Sequence, residues 1–147
     1  MSPEQTERPA HRFAEGLAQY RAGAKDAALA YFQRAARDHP DDAEACYFLG
    51  LILFKLGRHQ EAIAPLRRSA DLVPAEDALV KLAMAQGQTK DMDACLATLQ
   101  EAARKLPGSA EVRAYLGTTL RTLDRLEEAL EAYRAALALN PEHVPAL

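Results

Sequence analysis

Four stretches of this chain end on proline at a nearly constant interval, and that interval restricts the fold more than any other feature. They read AALAYFQRAARDHP (27–40), EAIAPLRRSADLVP (61–74), ACLATLQEAARKLP (94–107) and EALEAYRAALALNP (128–141). Their last residues, Pro40, Pro74, Pro107 and Pro141, lie 34, 33 and 34 residues apart. Such a period marks a stack of supersecondary units, none of which can bury its apolar face alone. Within the unit, Ala28, Ala62, Cys95 and Ala129 share one position, and Ala35, Ser69, Ala102 and Ala136 share another seven residues on. Between them stand Phe32, Leu66, Leu99 and Tyr133. The two small positions fall on one helix face and admit a neighbouring helix closely, while the large residue fills the gap. The proline then stops the helix, because it has no amide hydrogen to continue the ladder.

The segments upstream also repeat. EACYFLGLILFKLG (44–57) and EVRAYLGTTLRTLD (111–124) share Leu-Gly at 49–50 and 116–117, then Leu53 and Leu120. Their apolar residues three and four apart predict helix. Gly23 and Gly57 mark the turn between the two helices of a unit, and Asp41 or Asp42, with Ser109, stand where an N-cap is needed. Each unit therefore reads as two antiparallel helices of about 13 residues, each about 20 Å long.

On these residues the chain resembles the tetratricopeptide-repeat family, whose motif carries Leu-Gly, an aromatic or Leu, Gly, Ala, an aromatic, Ala and Pro. The resemblance covers about residues 9–143, with repeats two and four matching most fully. It implies an all-α fold, a right-handed α-solenoid of four antiparallel helix pairs. The repeats are expected at 9–42, 43–75, 76–109 and 110–143, between a polar N-terminal tail (1–8) and a C-terminal stub (144–147). Repeat one carries the polar residues Arg12, Glu15 and Gln19 at positions that usually pack, which suits a solvated end. Repeat three is one residue short. Its turn, GQTKDMD (87–93), lacks the glycine held by Gly23 and Gly57, so either the most irregular turn or an ordinary variant turn is expected there. The ending NPEHVPAL (140–147) reads as a fourth repeat boundary followed by the opening turn of a further helix. It would mark an open end of the stack, either the truncated boundary of a longer protein or a surface for another chain.

Composition narrows the function classes. A chain of 147 residues defaults to one domain with a real core. With 18 basic and 21 acidic residues the net charge is −3, which gives no electrostatic reason to expect nucleic acid as a partner. The absence of Trp and the few aromatics argue against a base-stacking surface. No apolar run approaches the roughly 18 residues of a membrane span. The polar start, MSPEQTERPAHR, lacks the apolar centre of a secretory signal. Cys46 and Cys95 sit in helical surroundings and read as reduced core residues of a cytoplasmic protein.

Chemistry-bearing clusters do not emerge. His11, His39, His59 and His143 pair with no Cys or His at ligand spacing, so no metal is expected. Carboxylates such as Asp41–Asp42 and Glu127–Glu128 stand at helix starts, where they complement the dipole. Ser2, Ser69 and Ser109 have no base near them, and no glycine-rich loop follows a strand. The chain is not expected to be an enzyme, and nothing in it calls for a cofactor. The basic residues of the second helices, Arg34, Arg37, Arg67, Arg68, Arg104, Lys105 and Arg134, fall mostly in last turns and read as a solvated face.

The resemblance implies that function comes from shape, with first helices lining a concave groove. The family's groove positions fall here on Phe13, Leu17, Tyr20 and Arg21, then on Tyr47, Leu51, Phe54 and Lys55. Repeat three supplies Asp77, Val80, Met84 and Gln88; repeat four supplies Glu111, Ala114, Thr118, Arg121 and Thr122. The first half is apolar and aromatic, the second small and polar, and Leu17 and Leu51 read equally well as core. Some family members hold a chaperone's C-terminal carboxylates with Lys and Asn on first helices. Here Phe13 and Leu17 take the corresponding places, so that clamp is missing. The expected partner is a protein or peptide segment with apolar anchors, held by a non-catalytic module. A small secretion-type chaperone is a narrower form of the same idea. A different class is a self-associating scaffold. The apolar residues Leu130, Tyr133 and Leu137 of helix 127–139 would lack a covering helix and could pair two copies into a homodimer.

Overall fold

The computed structural model describes residues 12–142. The N-terminal tail, His11, His143 and the C-terminal stub, with its expected opening turn, lie outside the described residues. Within them the chain forms eight α-helices and no strand. In chain order these are α1 (Ala14–Arg21), α2 (Lys25–Asp38), α3 (Ala43–Lys55), α4 (His59–Leu72), α5 (Glu76–Gln88), α6 (Met92–Lys105), α7 (Ala110–Thr122) and α8 (Leu126–Leu139). The chain divides after Leu72 into two compact units of two helix pairs each, where length alone suggested one domain.

In the first unit, α1 to α4, the core is aromatic. Phe32 is fully buried, and its ring lies 6.0 Å from Phe13 and 5.5 Å from Phe48. The small–large pairing of the repeat acts here through close approach. A Cβ added at Gly50 would come within 2.5 Å of Leu66, so only glycine lets α4 pack at this distance. Asp42 caps α3 by accepting hydrogen bonds from the backbone N–H groups of Glu44 and Ala45. Polar ties then hold α4 to the start of α3 and to the loop before it. Ser69 donates to the Ala43 carbonyl at 2.8 Å, and Arg68 donates to the Pro40 carbonyl and pairs with Asp41. Arg12, expected to be merely solvated, pairs with Asp42 and Glu44.

In the second unit, α5 to α8, the core is aliphatic with hydroxyls embedded in it. Leu96, Leu120, Ala129, Ala132 and Tyr133 form one cluster, and Ala83, Cys95 and Leu99 form another. Ser109 caps α7 through the Val112 N–H and donates its own hydroxyl to Glu76. Thr98 donates to Gln86 at 2.7 Å, and both are buried. The residue missing from repeat three falls before α5. That helix starts two residues after Pro74, whereas α3 and α7 start three after Pro40 and Pro107. The Ala75 N–H closes a tight turn onto the Val73 carbonyl at 2.7 Å, and no side chain caps α5.

The turn at 87–93 is an ordinary variant of the others and not an irregular one. Each first helix ends in the same Schellman arrangement, with two backbone bonds and one left-handed residue. Gly23, Gly57, Lys90 and Asp124 take that residue's place at φ 85°, 78°, 65° and 61°. Their N–H groups reach back to the carbonyls of Tyr20, Phe54, Gly87 and Arg121. The residues that follow reach those of Gln19, Leu53, Gln86 and Leu120. Lys90 holds glycine's conformation because its neighbours determine it, and the next residue adds a bond of its own. Asp91 caps α6 through the Ala94 N–H at 3.1 Å.

Candidate functional site

The first helices were expected to present the binding face, and the structure sorts their residues by depth. In the first unit, Leu17, Tyr20, Tyr47, Leu51 and Phe54 are partly buried and Lys55 is exposed. Phe13 belongs to the core instead. It precedes α1, is 4% exposed, and its ring packs between Phe32 and Phe48 with the Arg12 guanidinium 4.9 Å from its centre. Tyr47 meets Phe48 edge-on at 5.6 Å, and Phe54 meets the His59 imidazole at 4.7 Å. These contacts fix the rings while leaving part of each accessible.

In the second unit Val80 is also core, at 3% exposure. Met84 is partly buried, and Gln88, Arg121 and Thr122 are exposed. The half expected to be small and polar contains a cleft of about 250 Å³. Met84, Gly87 and Gln88 of α5 form one wall, Met92 and Cys95 of α6 the base, and Tyr115, Thr118 and Thr122 of α7 the other wall. Its threonine hydroxyls are already engaged. Thr118 donates to the Ala114 carbonyl at 3.1 Å and therefore accepts from the Tyr133 hydroxyl at 2.9 Å. Thr122 donates to the Thr118 carbonyl at 3.0 Å, and Thr119 meets the Cys95 sulfur at 3.7 Å. The cleft is thus more apolar than its residue names suggest. Sequence reading missed it, although glycine at position 87, where the other repeats carry Tyr20, Phe54 and Arg121, was the available signal.

The last helix was expected to expose Leu130, Tyr133 and Leu137. Leu130 and Leu137 are exposed, as are Leu126 and Leu139. Tyr133 is not: at 2% exposure it packs over Gly117, where a Cβ would come within 2.9 Å of its ring. It is core because it is the large residue of the repeat.

Both cysteines are free and buried, and burial pushes both thiols above their ordinary range. For Cys46 the nearby Arg68 charge partly offsets this; for Cys95 the Thr119 hydroxyl does. Among the described residues no group of three or more His, Cys, Asp or Glu is placed to hold a metal ion. No described helix is long and apolar enough to cross a membrane.

Three family models, each described as a tetratricopeptide repeat, match residues 13–77, 77–109 and 110–143. A Drosophila melanogaster protein named as a BBSome complex member, BBS4 homolog, is 31% identical over 115 residues. That match takes in 78% of this chain but 24% of the fly protein, so the chain spans about a quarter of its relative's length. Among solved structures, MamA from Desulfovibrio magneticus superposes with a TM-score of 0.75 at 25% identity, over 94% of this chain and 79% of that one. YrrB, described as a TPR protein with an unusual peptide-binding site, superposes with a TM-score of 0.76 at 23% identity, over 92% and 71%.

Proposed function

The chain belongs to the tetratricopeptide-repeat family, and from that premise we propose that it is a protein-interaction module that binds a peptide or protein segment along its first helices. One observation carries the reading. Tyr20, Tyr47 and Phe54 remain partly accessible on the first helices, alongside Leu17 and Leu51, while Ile52 and Leu53 of α3 are in the core. Aromatic rings held by neighbours bind at low entropic cost, because few rotamers remain to be frozen. Lys55, exposed beside Phe54, would orient a segment that carries a carboxylate near its apolar anchor. The description of YrrB as having a peptide-binding site agrees with this use of the fold.

The test is selection of displayed peptides on the immobilised protein, repeated with the double variant Tyr47→Ala, Phe54→Ala. Enriched peptides are expected to lose binding to the variant while its helical circular dichroism stays unchanged. Equal binding to both proteins overturns the reading.

A second reading has its own observation. Leu126, Leu130 and Leu137 are 55%, 40% and 39% exposed on one face of α8, an apolar surface suited to pairing with a second copy. Light scattering across micromolar concentrations tests it. A mass above the monomer that falls in Leu130→Glu supports self-association, and a strictly monomeric mass ends it.

A further inference from the structure

Gly87 has no structural reason to be glycine. It lies inside α5, where glycine is a poor helix former, and it is not among the positive-φ residues. A Cβ there would meet only the Cys95 sulfur, at 3.8 Å, an ordinary contact. The contrast with Gly50 and Gly117 is sharp, since a Cβ at either would collide with the large residue of its repeat. The equivalent places in the other repeats are fixed by the turn hydrogen bonds. The left-handed residue always donates to the carbonyl of this position, which is Tyr20, Phe54 or Arg121 elsewhere. Three repeats therefore carry a large side chain here, and the third carries none. The space left over is the cleft of about 250 Å³ between Met84, Met92, Tyr115 and Thr118.

We propose that this cleft is a specificity subsite that receives one aromatic side chain of the bound segment, which fills the place that Tyr20 and Phe54 fill in the first unit. Three properties favour a ring. The volume suffices, since an apolar cavity of about 150 Å³ already holds benzene. Two methionine sulfurs, Met84 and Met92, stand in its lining, and thioethers pack well against aromatic edges. The lining hydroxyls of Thr118 and Thr122 already donate to carbonyls of their own helix, so a ligand with no hydrogen-bonding group leaves neither hydroxyl proton unsatisfied. Charge selects what flanks the ring. No charged side chain lines the cleft. Arg121, beside Thr122, is exposed and has no ion pair among the described residues, and Lys90 is likewise exposed and unpaired two residues past Gln88. Of the nearby acids, Asp91 is occupied in capping α6, while Asp93 and Asp124 are exposed. The preferred occupant is an aromatic residue with a carboxylate placed to reach Arg121.

The inference rests on the binding reading above only in taking first helices as the ligand face, and the two can fail separately. The probe is the acetylated, amidated tripeptide Glu-Phe-Glu, titrated into the full chain and followed by amide chemical shifts. Saturable shifts confined to residues 84–88 and 118–122 are expected, together with none from the alanine analogue and weaker ones from the leucine analogue. Gly87→Leu fills the cleft from within. It is expected to weaken the probe at least about tenfold while the thermal midpoint stays or rises. Gly87→Ala keeps most of the space and is expected to bind with a smaller loss. Should the leucine variant fold poorly, Cys95 decides in the unaltered protein: the probe should slow its alkylation and leave that of Cys46 unchanged. Shifts located elsewhere, equal binding of the alanine analogue, tighter binding of the leucine analogue, binding undiminished in Gly87→Leu, or no protection of Cys95 each overturn the subsite. Loss of displayed peptides in the Tyr47, Phe54 variant alongside any of these outcomes would leave the broader binding reading standing.

Discussion

The two units build the same helix pair from different residues, and the difference separates what the pair requires from what it tolerates. The first unit turns on Gly23 and Gly57; the second turns on Lys90 and Asp124 with the same backbone bonds. The first fills its interior with aromatic rings packed around Phe32, the second with aliphatic side chains and hydroxyls around Tyr133. Both depend on a large residue set against a small one across the pair. Glycine in the turn is thus exchangeable, and the small–large contact between helices is not.

If that contact dominates, the largest losses should come from its large partner. Phe32→Ala removes a fully buried ring and is expected to lower unfolding free energy by about 3–5 kcal/mol in urea melts. In the second unit Tyr133→Phe keeps the ring and deletes only the hydroxyl that donates to Thr118, so a loss of about 1 kcal/mol is expected. Similar values for the two variants would break the comparison, because they would mean that the ring is not what holds the pair.

The small partner comes next. Gly50→Ala places a methyl 2.5 Å from Leu66, and Gly117→Ala places one 2.9 Å from the Tyr133 ring. Overpacking of this kind costs about 1–3 kcal/mol. Gly50→Ala should stand at the upper end, because a backbone atom of α4, the Leu66 nitrogen, lies only 3.3 Å from the new methyl. Gly117→Ala should cost less, since only side-chain atoms of Tyr133 obstruct it. Thermal melts of the two variants give the ranking, and the reverse order would mean that α8 is held more rigidly than α4.

The repeat explains why so much of this was readable beforehand. Recurrence at a fixed interval identifies positions, so Phe32, Leu66, Leu99 and Tyr133 could be assigned to one contact without coordinates. The same averaging hides what is particular to one copy. Phe13 and Val80 were placed on the binding face by register, yet both are core, Phe13 because the aromatic cluster draws it inward. Tyr133 was read as exposed because its helix ends the stack, although the large position faces its own partner helix and needs no following repeat. The 87–93 turn could be suspected of irregularity because a pattern records residues and not hydrogen bonds. The cleft is a property of an absence at Gly87, which shows in the sequence only as a break in the row that Tyr20, Phe54 and Arg121 otherwise fill.

The turn offers the third test. Lys90 in the left-handed region carries a penalty of about 1–2 kcal/mol that glycine escapes. Lys90→Gly is expected to stabilise the chain by about 1 kcal/mol, since glycine's greater freedom when unfolded returns part of the gain. Asp124→Gly should gain less, because Asp tolerates this conformation better than Lys. The cap that follows Lys90 gives the converse: Asp91→Ala should lose about 1 kcal/mol. If Lys90→Gly is neutral, the strain has been relieved locally and the two units' turns are equivalent after all.

The smallest effect lies in the thiols, one in each unit. Burial pushes the thiols of both Cys46 and Cys95 above their ordinary range in the folded protein. A group raised on folding contributes its full stability below the unfolded pKa, about 8.5 for a cysteine, and loses it as pH climbs through the folded value. Stability should therefore fall above about pH 8.5, as the unfolded chain releases thiol protons that the folded chain retains. Cys46→Ala and Cys95→Ala divide the slope between the units. The environments differ: the Arg68 charge near Cys46 favours the thiolate, while Cys95 has only a neutral hydroxyl to do so. The alkaline slope should therefore shrink more on replacing Cys95 than on replacing Cys46. Equal changes would show that burial, common to both sites, outweighs the neighbours that distinguish them.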